Sequence, residues 1–346
     1  MFTAQWLMEQ DFPPLRYVVP QIVPEGMTLL VAAPKIGKSW MALGLGLALS
    51  NGTAAFGCLP TGKPRPVLYL ALEDGPRRLQ DRLRQLNPRD VSHRLNFRVD
   101  IPDGSVIETI SDFMNAHRDL DPTVILDTLG KVMPPAQGNS SAYGHDYRML
   151  SALKATSDRV PGSSLIIVHH TRKGEAGDFL DTVSGTQGIA GAADTVLVLK
   201  RERQDQRATL QVTSRDAPEG EYSLTLSGAG EWTLDGGGLM GSAQAAQVAR
   251  ATDGVDIAMT ELIAAVARHP DGIKPKDLAV LTGWNPAKTR TYLSRAVEAG
   301  RLLSPQRGLY TPVAPVAPVT SVTAFELNAT HATQATGEET HELADT

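Results

Sequence analysis

From Met27 onward, short apolar runs alternate with stretches in which apolar residues recur at helical spacing. The runs Met27 to Ala32, Val67 to Leu72, Leu95 to Val99, Thr123 to Asp127, Ser164 to His169 and Thr195 to Lys200 read as strands, and helices fill most of the gaps. This alternation predicts a parallel sheet covered by helices on both faces. After Arg201 the rhythm changes to closely spaced strands at Ala208 to Ser214, Tyr222 to Leu226 and Glu231 to Leu234, which predicts an antiparallel extension of the same sheet. The expected fold class is therefore α/β with a predominantly parallel, twisted sheet.

Gly236, Gly237 and Gly238 open a Ser- and Ala-rich stretch, and residues 236–254 read as a flexible linker that ends a first domain at 1–235. Helical spacing returns over residues 256–268, followed by a short helix at Pro275 to Leu281. A third helix starts at Asn285 and Pro286, a good capping pair, and runs to about Ala299. Arg301 to Pro312 then has the pattern of a hairpin wing, so residues 255–312 are expected to form a small winged-helix domain. Residues 313–346 are too poor in large apolar groups to order themselves and read as a disordered acidic tail.

Composition narrows the setting. A chain of 346 residues with 42% hydrophobic content can bury a full α/β core and still supply a second small domain. The single cysteine, Cys58, excludes an intramolecular disulfide framework, and the sequence has no Cys/His cluster with zinc spacing. No apolar stretch is long enough to cross a bilayer, and Met1 to Gln10 lacks the pattern of a secretory leader; a cytoplasmic protein is expected. The net charge of −5 is unevenly spread. Residues 255–312 hold eight Lys or Arg against five Asp or Glu, whereas residues 313–346 hold five acids and no Lys or Arg. A mildly basic module between acidic neighbours permits nucleic-acid contact there.

The candidate chemistry begins at Ala32-Ala33-Pro34-Lys35-Ile36-Gly37-Lys38-Ser39, between a predicted strand and a predicted helix. That is the context of a phosphate-binding loop, although Ala32 stands where the usual pattern has its first glycine. Backbone amides from Ala33 through Trp40 would point at the phosphates of ATP, helped by the positive end of the helix dipole. Gly37 leaves room for that approach, Lys38 neutralises β- and γ-phosphate charge, and the Ser39 hydroxyl ligates Mg²⁺.

Two carboxylates fit the same site. Asp127 ends an apolar strand, as required to hold the hydration shell of the Mg²⁺. Glu73 follows Val67 to Leu72 and is placed to orient and deprotonate the attacking water; the alternative is that Asp74, before Gly75 and Pro76, is a helix cap and Glu73 an exposed charge. A further strand ends in His169 and His170, of which only one can face the nucleotide, because adjacent strand residues point to opposite sides.

These residues resemble the RepA-like hexameric replicative helicases of plasmids and phages, within the RecA- and DnaB-like ATPases. The resemblance spans about residues 15–235 and rests on Ala33-Pro34-Lys35-Ile36-Gly37-Lys38-Ser39, Leu70-Ala71-Leu72-Glu73-Asp74, Ile125-Leu126-Asp127-Thr128, Val168-His169-His170-Thr171-Arg172-Lys173, and Ser184-Gly185-Thr186 with Ala193-Asp194 downstream. It implies a RecA-like P-loop ATPase assembled as a homo-oligomeric, hexameric ring, with ATP between neighbours and a basic side chain reaching in from the adjacent subunit. Arg215 is the candidate for that finger, with Arg201 and Arg203 as alternatives. DnaB-like members carry a lysine where this chain has Thr213. The resemblance gives His170 a role beside the γ-phosphate. It also places the loops after Asp127 and His170 in a central channel, where Lys131, Arg172 and Lys173 would follow a single-stranded DNA backbone.

In the C-terminal module the third helix carries Lys288, Arg290 and Arg295, suited to phosphate contacts with duplex DNA, or alternatively to docking a replication protein. Three functions compete: an ATP-driven helicase or translocase, a recombination or repair mediator that hydrolyses ATP without unwinding, and a nucleotide-gated DNA-binding regulator. A water-activating Glu73 separates the third from the other two.

Overall fold

The computed structural model describes residues 2–133, 142–170, 191–202 and 205–313. The elements run α1 (Ala4–Met8), β1 (Tyr17–Val19), β2 (Val23–Pro24), β3 (Gly26–Ala32), α2 (Lys38–Asn51), β4 (Val67–Ala71), α3 (Pro76–Leu86), β5 (Leu95–Arg98), α4 (Val106–Ala116), β6 (Thr123–Asp127), α5 (Ala142–Asp158), β7 (Ser164–His170), β8 (Thr195–Arg201), β9 (Arg207–Ser214), β10 (Gly220–Leu226) and β11 (Trp232–Leu234). Four helices and a hairpin follow: α6 (Leu239–Thr252), α7 (Ile257–Ala267), α8 (Pro275–Thr282), α9 (Pro286–Glu298), β12 (Leu302–Gln306) and β13 (Leu309–Pro312).

Among the described residues, nine strands form one sheet in the order β11-β10-β9-β8-β3-β7-β6-β4-β5. The strands from β8 to β5 are mutually parallel, and β9, β10 and β11 extend the β8 edge antiparallel. Both halves of this mixed sheet follow the pattern read from the sequence. The two-residue period of a strand divides β3 between two apolar layers. Leu30 and Ala32 join a core with Met41, Leu45 and Leu49 of α2, while Met27, Leu29 and Val31 join one with Ile110 of α4 and Leu150 of α5. Each fully buried Leu or Ile in these layers contributes about 1.5–3 kcal/mol relative to exposure.

The expected linker is not one. Leu239–Thr252 form a 14-residue helix with Ser242, Ala243, Ala246 and Gln247 buried, and the Ser242 hydroxyl donates to the Ser223 carbonyl of β10 at 2.6 Å. Alanine is the strongest helix former, and its small side chain lets the helix lie close on the sheet. Of the three glycines that precede it, Gly236 and Gly237 take φ of 75° and 73°.

After Gly254, helices α7, α8 and α9 and the β12-β13 hairpin surround a separate apolar cluster that includes Leu262, Val266, Leu278, Leu293 and Leu302. Asn285 caps α9 by accepting from the Lys288 amide at 2.7 Å, with Pro286 in the first turn. No helix among the described residues is long and apolar enough to cross a membrane. The acidic tail expected from residue 313 lies almost wholly outside the described residues.

Candidate nucleotide site

Parallel pairing decides where the candidate residues meet. Ala71 of β4 is in register with Asp127 of β6, Asp127 with Val168 of β7, and His170 with Ala32 of β3. All four strands therefore end at one edge of the sheet, and residues 33–37, Glu73, Asp127 and His170 converge there. This is the edge at which open α/β sheets bind ligands.

The loop between β3 and α2 is strongly turned. Lys35 takes φ 67° and Gly37 φ 107°, and Gly37 caps α2 without a side-chain hydrogen bond. Its carbonyl accepts the indole N–H of Trp232 at 3.0 Å. A Cβ at Gly37 would lie 2.8 Å from the Trp232 ring, so this position has no room for another residue type. Arg201, at the end of β8, donates from Nε to the Ile36 carbonyl at 3.0 Å and from its guanidinium to the Asp205 carbonyl at 2.6 Å. A tryptophan from β11, the outermost strand, and an arginine from β8, the strand beside β3, thus hold the loop's backbone in place. Pro34 and Lys35 are exposed, Ala33, Ser39 and Trp40 half-buried, and Ile36 and Lys38 buried.

Lys38 is only 5% exposed. Its Nζ lies 2.7 Å from His170 Nδ1. Burial lowers its pKa, and the nearby Asp127 and Glu73 carboxylates oppose that shift. Of the two adjacent histidines, His170 is the one that meets the loop. The Glu73 carboxylate accepts from the Thr128 hydroxyl at 3.0 Å and lies 3.9 Å from His170 Nε2. Asp74 is not a cap: Gly75 caps α3, and the buried Asp74 carboxylate pairs with Arg78 at 2.8 Å and with Arg82. Arg82 also lies over the Trp40 ring, 5.5 Å from its centroid.

Asp127 is 2% exposed. Its Oδ2 accepts the Tyr69 hydroxyl at 2.7 Å, while Oδ1 is buried with no hydrogen-bond partner among the described residues. Burial raises the Asp127 pKa; the Tyr69 and Ser39 hydroxyls pull it down, and Glu73 and Asp74 push it up. Of those two hydroxyls, Tyr69 makes the well-formed hydrogen bond. Tyr69 itself is pushed well above the ordinary phenol value, first by burial and then by Asp127, so it keeps its proton and donates.

The donor set fits a magnesium nucleotide. Among the described residues no group of three or more His, Cys, Asp or Glu could cage a metal alone. A cation here would depend on the Ser39 hydroxyl, water held by Asp127, and substrate phosphates, the ligand mix that Mg²⁺ accepts. The unpartnered Asp127 oxygen beside a phosphate-type loop is the structural sign of such a group.

Other candidates lie apart. Lys131 is exposed at the end of a 3-10 turn, Leu129–Lys131, just beyond Asp127 and on the same edge. Arg215 follows β9 where Ser214 pairs with Thr195, itself in register with Thr28. That is four residues, about 13 Å, back along the sheet from Ala32, and the Arg215 guanidinium donates to the Gly191 carbonyl at 2.7 Å. It cannot serve its own loop. Arg201, the alternative finger, is bound to the loop of its own chain. Arg172, Lys173 and Arg203 fall outside the described residues. Lys288, Arg290 and Arg295 are exposed on α9, with Lys288 Nζ 3.7 Å from the Trp284 ring centroid.

Sequence reasoning missed Tyr69, Arg82, Trp232 and the bracing role of Arg201. A tyrosine in the otherwise apolar run Val67-Leu68-Tyr69-Leu70-Ala71 was the one readable signal, because a buried hydroxyl needs a partner.

The AAA domain family profile matches residues 2–176. Among solved structures, the chain is similar to one described as an ATPase domain, with 17% identity over 60% of this chain and 84% of that one, at a TM-score of 0.47. It is similar to a DnaB-like replicative helicase described with its primase interactions, with 16% identity, 60% of this chain, 57% of that one and a TM-score of 0.47. A KaiC-like protein from Pyrococcus horikoshii OT3 shares 13% identity over 65% of this chain and 99% of that one, at a TM-score of 0.44.

Proposed function

The chain belongs to the AAA domain family, and from that premise we propose that it is an ATP-driven DNA helicase or translocase of the RepA-like kind, acting on single-stranded DNA in the replication of a plasmid, phage or mobile element. The observation that carries the ATPase part is the convergence of Lys38, Ser39, Asp127 and Glu73 on one sheet edge. Magnesium, when bound with ATP, supplies charge neutralisation at the phosphates.

Each protein group has a distinct task. The loop amides and the start of α2 hold the phosphate oxygens. Lys38 would exchange His170 for a phosphate oxygen, and Ser39 and Asp127 are the residues that would hold the metal. Glu73, held by Thr128 and half in solvent, accepts the proton of the attacking water. His170, between Lys38 and Glu73, responds to the presence of the terminal phosphate and lies directly before residues 171–190.

A hexameric ring would bring Arg215 of one subunit to the site of the next, which suits its distance from its own loop. Lys131, Arg172 and Lys173 would then face single-stranded DNA. The C-terminal unit is read as a winged helix that presents Lys288, Arg290 and Arg295 to duplex DNA or to a replication protein.

The test is ATP hydrolysis with and without single-stranded DNA, run beside a forked-duplex unwinding assay. DNA-stimulated turnover with strand separation is expected. Stimulated turnover with closed forks would replace this reading with a recombination or repair mediator. Binding of ATP and DNA without turnover would replace it with a nucleotide-gated regulator.

A further inference from the structure

We infer that Tyr69 is a positioning residue for the metal-side carboxylate: its hydroxyl holds Asp127 Oδ2 and so fixes Oδ1 toward the metal side of the phosphate loop. This inference rests on the nucleotide reading above. A carboxylate rotates about a broad, two-fold torsion, so an unrestrained Asp127 would sample many orientations of Oδ1. Because both oxygens share one carbon, fixing one fixes the other.

The arrangement is rigid on the tyrosine side. Tyr69 is completely buried in a strand whose five residues are all buried, and its ring meets Phe97 edge-on with centroids 5.7 Å apart. Packing alone would be served by phenylalanine, without the cost of taking a hydroxyl out of water. The 2.7 Å bond across β4 and β6 is what the oxygen adds. Asp127, in turn, has no other well-formed side-chain hydrogen bond among the described residues.

The experiment uses the full chain and a fluorescent ADP analogue, titrated with Mg²⁺. For Tyr69→Phe, affinity for the metal-free nucleotide is expected to match wild type, while the Mg²⁺ midpoint rises about tenfold, as for loss of a group that orients a metal ligand. An unchanged midpoint would overturn the inference, as would an equal loss of affinity with and without metal. The double variant Tyr69→Phe/Asp127→Asn, compared with Asp127→Asn alone, separates an action through Asp127 from a general effect of the substitution on the fold. Its midpoint is expected not to move further, and a further shift would place Tyr69 outside the action of Asp127. A wild-type protein that binds no nucleotide contradicts the ATPase reading and this inference together, whereas normal wild-type binding with an unshifted Tyr69→Phe contradicts only this one.

Discussion

Lys38 Nζ and His170 Nδ1 lie 2.7 Å apart, so the ammonium that would meet the phosphates has an imidazole partner at the end of β7, the strand beside β3. Burial lowers the lysine's pKa, and exchange of the imidazole for a phosphate oxygen restores a charged partner. His170→Ala is therefore expected to leave nucleotide affinity within about threefold while turnover falls roughly 10- to 100-fold through loss of a polar group at the γ-phosphate. Fluorescent-nucleotide binding and phosphate release check the two halves, and a large loss of affinity would show that His170 builds the loop rather than serving the reaction.

Asp127 gives a prediction with the opposite sign for stability and function. Its pKa is raised by burial, so the ionised form is tolerated less well folded than unfolded. Stability falls as pH rises from the ordinary carboxylate range through the raised value. Asp127→Asn removes that charge and is expected to raise the melting temperature at pH 7 by about 2–4 °C, the equivalent of roughly 1 kcal/mol in a domain of about 150–250 residues, while the Mg²⁺ midpoint for nucleotide binding rises at least about tenfold. Melts at lower pH should narrow the gap, and a lower melting temperature at pH 7 would refute the assignment of cost.

Gly37 and Trp232 form a second linked pair, 195 residues apart in the chain. Gly37→Ala is expected to lower both the melting temperature and nucleotide affinity, the latter at least tenfold, because the added carbon meets Trp232 at a positive φ. Trp232→Phe keeps most of the bulk but drops the donor to the Gly37 carbonyl, at an expected cost of about 1 kcal/mol in nucleotide binding. Isothermal titration separates the two variants; equal effects would mean that bulk, not the hydrogen bond, holds the loop.

How much was legible follows from what each feature depends on. The strand from Thr123 to Asp127 and the loop before Lys38 are local in sequence, and periodicity placed both within a residue or so. The positions of Glu73, Asp127 and the His169-His170 pair at strand ends were legible by the same periodicity, whereas which histidine meets Lys38 depends on how β7 sits beside β3. Trp232 and Arg201 were not, since their contacts with Gly37 and Ile36 arise only when β11 and β8 take their places in the sheet. The helix Leu239–Thr252 was misread for a different reason. Its Ala and Ser content matched a linker by composition, whereas helix propensity and close approach to β10 decided the outcome.

Arg215 tests the assembly. On its own chain it stands at the far end of the sheet from the loop, so Arg215→Ala should leave ATP affinity unchanged and lower turnover by about 10³-fold or more if it acts on a neighbour's nucleotide. Mixing Arg215→Ala with Lys38→Ala subunits should then restore part of the activity, because a mixed interface holds one intact site. Absence of any recovery, with both proteins assembled, would remove Arg215 from the reaction.

The central claim is that Lys38, Ser39, Asp127 and Glu73 form one ATP-hydrolysing site. Phosphate release from Mg²⁺-ATP by wild type, Lys38→Ala and Glu73→Gln measures it directly. Wild type is expected to turn over at least about 100-fold faster than either variant, with Glu73→Gln still binding ATP; a wild-type rate no higher than that of Lys38→Ala would contradict it.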